Sequence, residues 1–261
     1  MKKIAVSIIG SLILISITQA GIIMTSQFQD LKNAKAQPMT QTTYLGKDMI
    51  RMDMKADKSD MSIVYLDTTQ TFWMIDHKKK SYTEMTKEDL DKMMKAAEEV
   101  LTTANEALQN LPPGLADKMK NMLQPTQTKK SEMVYSKVAG DEKVNQWTCD
   151  KYEGKRDDKK EMEVWTADWK KLGLKKEDLT GFDNIGKFFQ QMMKNMSWFY
   201  KAGTDEKTEN MYAGFPVKTV NYEKDKAVNQ YEIKSITQED LKESVFQVPQ
   251  GYKKEKMKTD K

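Results

Sequence analysis

The sequence predicts an α+β fold in which helices cover an antiparallel sheet. Short β-forming runs separated by polar clusters fill the stretch from Met39 to Met85 and indicate a meander of hairpins. Two later stretches, starting at Thr86 and at Lys175, carry apolar residues at three- and four-residue spacing, which is typical of amphipathic helices. A sheet with one apolar face needs a cover. We therefore expect these helices to pack on the sheet.

The strands are predicted from their short apolar runs. The meander should contain strands at 39–44, 49–55, 61–66, 71–75 and 81–85. Further strands are expected at 21–28 before the meander and at 131–138, 144–154, 161–167, 215–222 and 227–236 after it. A single helical turn is expected at 238–241.

The first helix should begin at Thr86, which precedes two acidic residues that suit the positive end of a helix dipole. Its apolar positions continue to Leu111, where two prolines end it, and a shorter helix follows up to Leu123. We expect the pair to form a helical insertion, 86–124, that lies across the sheet. The second helical region should run from Lys175 to about Tyr200.

The first twenty residues have the pattern of a secretory signal peptide. Lys2 and Lys3 precede an apolar core, and Thr18 and Ala20 supply small residues before a cut. We expect cleavage after Ala20 and a periplasmic or secreted protein, with a retained N-terminal anchor as the alternative. The rest should form a single domain, 21–252, and a flexible basic tail, 253–261.

The charge balance gives no indication of nucleic-acid binding. The chain of 261 residues has a formal net charge of +4, which falls to +2 without Lys2 and Lys3, and its charges are interspersed. A nucleic-acid partner would require a clustered basic face. After signal cleavage we do not expect an integral membrane protein, since no other long apolar run is present.

The sequence contains no recognisable catalytic or metal-binding set. Cys149 is the only cysteine and is expected to be a small buried residue, because free cysteine is usually buried. His77 is the only histidine and is expected to be an exposed turn residue. Glu161 and Glu163 are expected to lie on a solvent face. We therefore predict no enzyme activity and no cofactor.

The twenty methionines are the most unusual feature of the composition. Methionine is flexible and polarizable and suits surfaces that accept varied apolar partners, although ordinary core filling explains it slightly better. Cu(I) binding is a third interpretation, by Met52 and Met54, which share a strand face, and by Met119 and Met122, which share a helix face. The residues expected to line an apolar ligand site are Trp73, Met93, Met94, Leu101, Met119, Met122, Trp165, Phe188, Phe189, Met192, Met193 and Met196.

Three stretches resemble an uncharacterised family of exported bacterial proteins that is itself similar to the LolA/LolB-like lipoprotein carriers. They are 49–82, which includes Ile75-Asp-His-Lys-Lys-Lys-Ser-Tyr82; 144–168, which includes Trp147-Thr-Cys149 and Val164-Trp165; and Gly214-Phe-Pro216 with Phe246-Gln-Val-Pro249 near the end. The resemblance implies a curved antiparallel half-barrel with helices on its concave face. It transfers no catalytic or binding residue.

These observations together predict a non-enzymatic exported protein that binds an apolar ligand, such as the acyl chains of a lipid or lipoprotein. The lipid role comes only from the resemblance in fold. The alternative is a structural or protein-interaction module of the cell envelope, with a protein partner and no small-molecule ligand.

Overall fold

The computed structural model describes residues 18–33, 35–109, 131–175 and 212–256. These residues form one open sheet of twelve strands, one α-helix and two short 3₁₀ helices, Trp169–Leu172 and Glu243–Phe246. The helix α1 is Lys87–Gln109. The strands are β1 Thr18–Asp30, β2 Met39–Leu45, β3 Met49–Ala56, β4 Ser59–Leu66, β5 Thr71–Asp76, β6 Ser81–Met85, β7 Val134–Val144, β8 Trp147–Arg156, β9 Lys159–Ala167, β10 Phe215–Glu223, β11 Lys226–Lys242 and β12 Lys253–Glu255.

Two antiparallel meanders make up the sheet. Strands β1 to β6 follow one another from its centre to one end, and β11 to β7 run in reverse chain order to the other end. The meanders join where β1 pairs with β11 over the whole length of β1, with one β-bulge between Thr25 and Ser26. The short β12 adds a parallel strand beside β6 at the edge. The two halves of the sheet are therefore joined through a pairing of residues that are distant in the sequence.

The predicted α+β half-barrel, with helices packed on its concave face, is wrong for this structure. The protein is mostly β, with a single open sheet, and α1 is the one α-helix among the described residues. The largest core cluster draws its members from strands of both meanders, such as Ile22, Ile50 and Trp165, and from the short segment after β9. The second predicted helix, 175–200, lies outside the described residues except for its first position.

The helix α1 begins where the sequence predicts it. Thr86 caps its first turn: the backbone N–H of Asp89 donates to the Thr86 hydroxyl at 3.2 Å, and the Thr86 N–H donates to the Asp89 carboxylate at 3.1 Å. This reciprocal arrangement is a capping box with aspartate in place of glutamate. Among the helix side chains that are described, Leu90 is buried against Tyr65 and Phe72, whereas Met93 is 44% exposed. The contact of α1 with the sheet is therefore seen at its first turn.

Tight turns set the register of several hairpins. Asp157 and Asp158 have φ of 50° and 60° in the turn between β8 and β9, and Lys224 and Asp225 have φ of 50° and 62° between β10 and β11. Two successive residues with positive φ form a type I′ turn, whose twist matches that of the strands it joins.

The C-terminal part differs from the prediction in two places. The helical turn expected at 238–241 is instead part of β11, because these residues pair with the start of β1, as in Gln238 with Ile22. The tail expected to be flexible from 253 begins with β12, in which Lys253 pairs with Ser81. Both differences arise from pairing with strands that are distant in the sequence.

The start of β1 overlaps the predicted signal peptide. Thr18, Gln19 and Ala20 pair with Lys242, Leu241 and Asp240. Cleavage after Ala20 would shorten this strand by three residues and leave Gly21–Asp30 to pair with β11.

Candidate functional site

Methionines lie together on one face of the first meander. The strand register places Met54 directly opposite Met61, and it places Met52 opposite Ile63, which is in turn opposite Met74. Residues at alternate positions of a strand share a face, and directly opposite residues do so too. These five side chains, Met52, Met54, Met61, Ile63 and Met74, form what we call the methionine face. All five are half-buried.

A row of well-packed residues borders the methionine face. Ile50, Tyr65 and Phe72 lie opposite one another on the same side of the sheet and are almost fully buried. The rings of Tyr65 and Phe72 are 4.5 Å apart, and Leu90 of α1 packs on them. The Tyr65 hydroxyl donates to Asp67 at 2.8 Å, and burial followed by this hydrogen bond raises the tyrosine pKa. Branched and aromatic residues thus fill the buried row. The next row along the strands contains Met52 and Met74, and the row after that contains Met54 and Met61.

The C-terminal segment, residues 243–252, covers the other side of the same strands. Phe246 is 1% exposed and packs with Val64 and Ile75. Leu241 and Tyr252 belong to the same apolar cluster. Because Val64 and Ile75 lie at positions that alternate with Ile63 and Met74, this cover is on the face opposite the methionines.

A chain of polar contacts ties the C-terminal segment to the sheet. The Ser62 hydroxyl lies 2.6 Å from His77 Nε2 and 2.6 Å from Asp53 Oδ1, and His77 Nδ1 lies 2.9 Å from the Tyr252 hydroxyl. Arg51 pairs with Asp53 at 2.5 Å and donates to the carbonyl oxygen of Val245 at 3.0 Å. The prediction that His77 is an exposed turn residue is therefore wrong: it is half-buried and holds Tyr252 in place.

The spacing of Ser62 and His77 is that of a nucleophile and its base, but the surroundings give the pair another role. The Ser62 side chain is fully buried beneath the C-terminal segment. Its hydroxyl also accepts from Arg51 at 2.9 Å. In this arrangement the serine links two charged groups and a histidine, and the network holds chain segments together.

A second polar cluster lies in the other meander, around Glu163 of β9. This carboxylate is 8% exposed and contacts Lys160 at 2.6 Å, Lys151 at 3.0 Å and the hydroxyl of Tyr222, which donates at 2.7 Å. Burial is the largest single influence and raises its pKa, but the hydrogen bonds from Lys160, Tyr222 and Lys151 outweigh it and leave the pKa below its ordinary value. The expectation of a solvent face is wrong for Glu163.

Trp165 lies beside this cluster and is held by charged groups. The Nζ atoms of Lys151 and Lys218 are 4.7 Å and 4.8 Å from the centre of its ring, which are cation–π distances. Its Nε1–H donates to Glu142 at 2.5 Å. Trp165 is nearly buried, and its environment is charged.

The structure does not bring the two predicted site tryptophans together. Trp73 lies on β5, on the face covered by the C-terminal segment, and its Nε1–H donates to Glu84 at 3.0 Å. Six strands separate β5 from β9, which places Trp73 roughly 34 Å along the sheet from Trp165. Met93, Met94 and Leu101 lie on α1, and Met93 is largely exposed. The remaining predicted residues lie outside the described residues: Met119, Met122, Phe188, Phe189, Met192, Met193 and Met196.

Cys149 is buried, as predicted, and burial raises the pKa of its thiol. Within the described ranges no three His, Cys, Asp or Glu side chains lie close enough to hold a metal ion. Nor does any helix in that part of the chain have the length and apolar character needed to cross a membrane.

The sequence predicted part of the methionine face. Met52 and Met54 are predicted to share a strand face, and they do. Met61 and Met74 could be added only with the register of two hairpins. The two-residue turn at 57–58, which leaves Ala56 opposite Ser59, is the signal that would have placed Met54 opposite Met61.

Comparison with known proteins identifies a family. The family model described as Domain of unknown function (DUF4412) matches residues 115–252, more than half of the chain. Among curated proteins, none matches.

Two solved structures are similar at low identity. An uncharacterized conserved protein from Thermus thermophilus is similar over 92% of this chain and 91% of its own, with 9% identity and a TM-score of 0.44. The structure of PNGF-II is similar over 92% of this chain and 31% of its own, with 10% identity and a TM-score of 0.35. At these TM-scores neither similarity supports a conclusion about the fold or function of this chain. The expected similarity to LolA/LolB-like carriers is not confirmed.

Proposed function

The chain belongs to the family described as Domain of unknown function (DUF4412), and we propose that it binds an extended apolar ligand, the acyl chain of a lipid or lipoprotein, on its methionine face. The observation that carries the proposal is the set of half-buried methionines at neighbouring positions of β3, β4 and β5. Thioether side chains adapt to apolar partners of different shape better than branched ones do.

The dimensions of the face suit part of an elongated ligand. The row from Met52 through Ile63 to Met74 crosses three adjacent strands, and its continuation on β2 and β1, Thr43 and Met24, is already buried. At about 4.8 Å between neighbouring strands, the half-buried part of this row is roughly 10 Å long. A segment of an acyl chain has this length scale, and its burial would remove apolar surface from water at about 25 cal/mol for each Å².

The C-terminal segment covers the opposite face of the first meander, which leaves the methionine face as the side for the ligand. The C-terminal segment already buries Val64 and Ile75 on that face. On the methionine face, Met52 and Ile63 pack against core residues on one side, and Met54, Met61 and Met74 are in none of the core clusters formed by the described residues. The methionines are less buried than the neighbouring Tyr65 row. We also propose export through the leader 1–20, which would place the protein with envelope lipids and lipoproteins.

A double charge substitution tests the proposal. Met54→Lys with Met61→Lys should weaken binding of a fluorescent long-chain fatty acid by about tenfold or more, because two ammonium groups would be buried against the acyl chain and Asp76, opposite position 61, can pair with only one of them. The measurement is a fluorescence titration of lipid-stripped protein, with far-UV circular dichroism to verify folding.

The matched control is Thr68→Lys with Thr69→Lys, which adds the same two charges at exposed turn residues between β4 and β5. It should leave the affinity unchanged. Equal affinities for the folded methionine-to-lysine double variant and the wild-type protein would rule out the methionine face as the acyl site.

A protein-interaction role is the second candidate, and one observation favours it. The edge strand β7 carries Val134 and Val138, which are 48% and 54% exposed. An exposed edge strand offers unpaired backbone groups to another chain. Crosslinking that captures one protein reproducibly through β7, together with the absence of fatty-acid binding, would favour this role over acyl binding.

A further inference from the structure

Three thioether groups of the methionine face are close enough to share one ion. Met54 and Met61 are directly opposite, so their Cβ atoms lie about 4.5–5.5 Å apart. Met52 is two residues from Met54 on the same strand, at about 6.6 Å by strand geometry. Methionine has three rotatable side-chain bonds, so its sulfur can reach a point between such neighbours.

Four methionines occupy half-buried positions on one face of β3, β4 and β5. The adjoining buried row of the same strands is made of Ile50, Tyr65 and Phe72 and contains no methionine, whereas the two half-buried rows contain four. Leucine or valine would also make an apolar face, but neither carries a ligand atom. Adaptable packing is one reason for methionine at these half-buried positions, and the sulfur atom offers a second.

The chemistry of the thioether supplies that reason. It is a soft, uncharged ligand that prefers Cu(I) to hard cations such as Mg²⁺ or Ca²⁺, which take oxygen ligands. The carboxylate of Asp76 lies opposite Met61 in the strand register, on the same face. Its negative charge stands next to the place where a bound cation would sit, although Lys79 also contacts it at 3.1 Å.

We propose that Met52, Met54 and Met61 bind one Cu(I) ion through their three sulfur atoms. Binding needs no proton release, because thioethers carry no proton to lose. Cu(I) binding depends on the sulfur atoms of these residues, whereas acyl binding depends on their apolar surface. The two proposals can therefore be tested independently.

Leucine substitutions separate the two roles. Met54→Leu with Met61→Leu removes two sulfur ligands while nearly conserving side-chain volume and apolar character. We expect the affinity for Cu(I) to fall by about tenfold or more, and the affinity for the fluorescent fatty acid to change much less, because the apolar surface is kept. The matched control is Met49→Leu, which lies on β3 but packs in the cluster of the opposite face. It should change neither affinity.

The affinity is measured anaerobically by competition of the full-length protein with bicinchoninate for Cu(I), and repeated with Ag(I), which does not change oxidation state. X-ray absorption at the copper edge identifies the ligands and should show sulfur neighbours only. Three results would overturn the site: no Cu(I) binding by the wild-type protein, equal affinity for the wild-type protein and the double leucine variant, or a nitrogen and oxygen shell. Loss of fatty-acid binding in the lysine variant but not in the leucine variant would support the acyl role whatever the copper result.

Discussion

Replacement of Phe246 by alanine should lower the free energy of unfolding by about 3–5 kcal/mol, the usual range for a large buried aromatic side chain. Phe246 is 1% exposed and packs on Val64 and Ile75, through which the C-terminal segment covers one face of the first meander. Its removal leaves a cavity between the segment and the sheet. The measurement is equilibrium unfolding in urea, followed by tryptophan fluorescence.

The control for this loss is Phe28→Ala. Phe28 lies on β1 and is 37% exposed, so its truncation removes much less buried surface and should shift the unfolding midpoint only slightly. If the Phe246→Ala curve superimposes on that of the wild-type protein, the C-terminal segment does not contribute to the stability of the sheet.

Replacement of Glu163 by glutamine should lower the free energy of unfolding by about 1–3 kcal/mol near neutral pH. The substitution keeps the shape of the side chain but leaves Lys151 and Lys160 facing an uncharged amide in a nearly buried site. Lys160 keeps Glu153 at 3.6 Å, which limits the loss. The same urea unfolding measurement applies.

The effect of Glu163 should depend on pH in one direction. Its pKa in the folded protein lies below the ordinary value of 4.5, so the carboxylate stabilises the fold above that pH. As the pH falls through the lowered pKa, the stabilisation is lost, and the difference between the wild-type protein and Glu163→Gln should shrink. The control is Glu223→Gln at an exposed pair with Lys32, which should change stability little at any pH. A difference that grows on acidification would contradict the assigned direction.

The strands of the first meander were predictable because their signal is local. The alternation of side chains and the polar turns between Met39 and Met85 place β2 to β6 within one or two residues. The cap at Thr86 is equally local, and α1 begins there. Such features depend on neighbours in the sequence and survive in any tertiary context.

The fold class was missed because it depends on partners distant in the chain. Gln238 to Leu241 has the sequence of a helical turn, but it is drawn into β11 by pairing with the start of β1. The amphipathic pattern of 86–111 predicted a helix, and the structure has α1 at Lys87–Gln109. The pattern could not show that α1 contacts the sheet through Leu90, in its first turn. Periodicity shows which face is apolar; it does not show what covers that face.

The polar clusters were missed for the same reason. His77 and Glu163 stand among charged residues in the sequence and look exposed. Their burial comes from Tyr252 and Tyr222, which are 175 and 59 residues away. The methionine face was predictable in part. The alternation of side chains along β3 places Met52 and Met54 on one face, but adding Met61 and Met74 requires the register of the hairpins.

Photolabelling with a fatty acid that carries a diazirine near the end of its chain, read residue by residue by mass spectrometry, tests most directly whether the methionine face holds an acyl chain. Adducts should appear on Met52, Met54, Met61 and Met74 and be suppressed by unlabelled fatty acid. They should be absent from Arg51 and Ser62, which alternate with these residues and lie beneath the C-terminal segment. Adducts confined to that opposite face, or labelling that excess unlabelled fatty acid does not reduce, would contradict acyl binding on the methionine face.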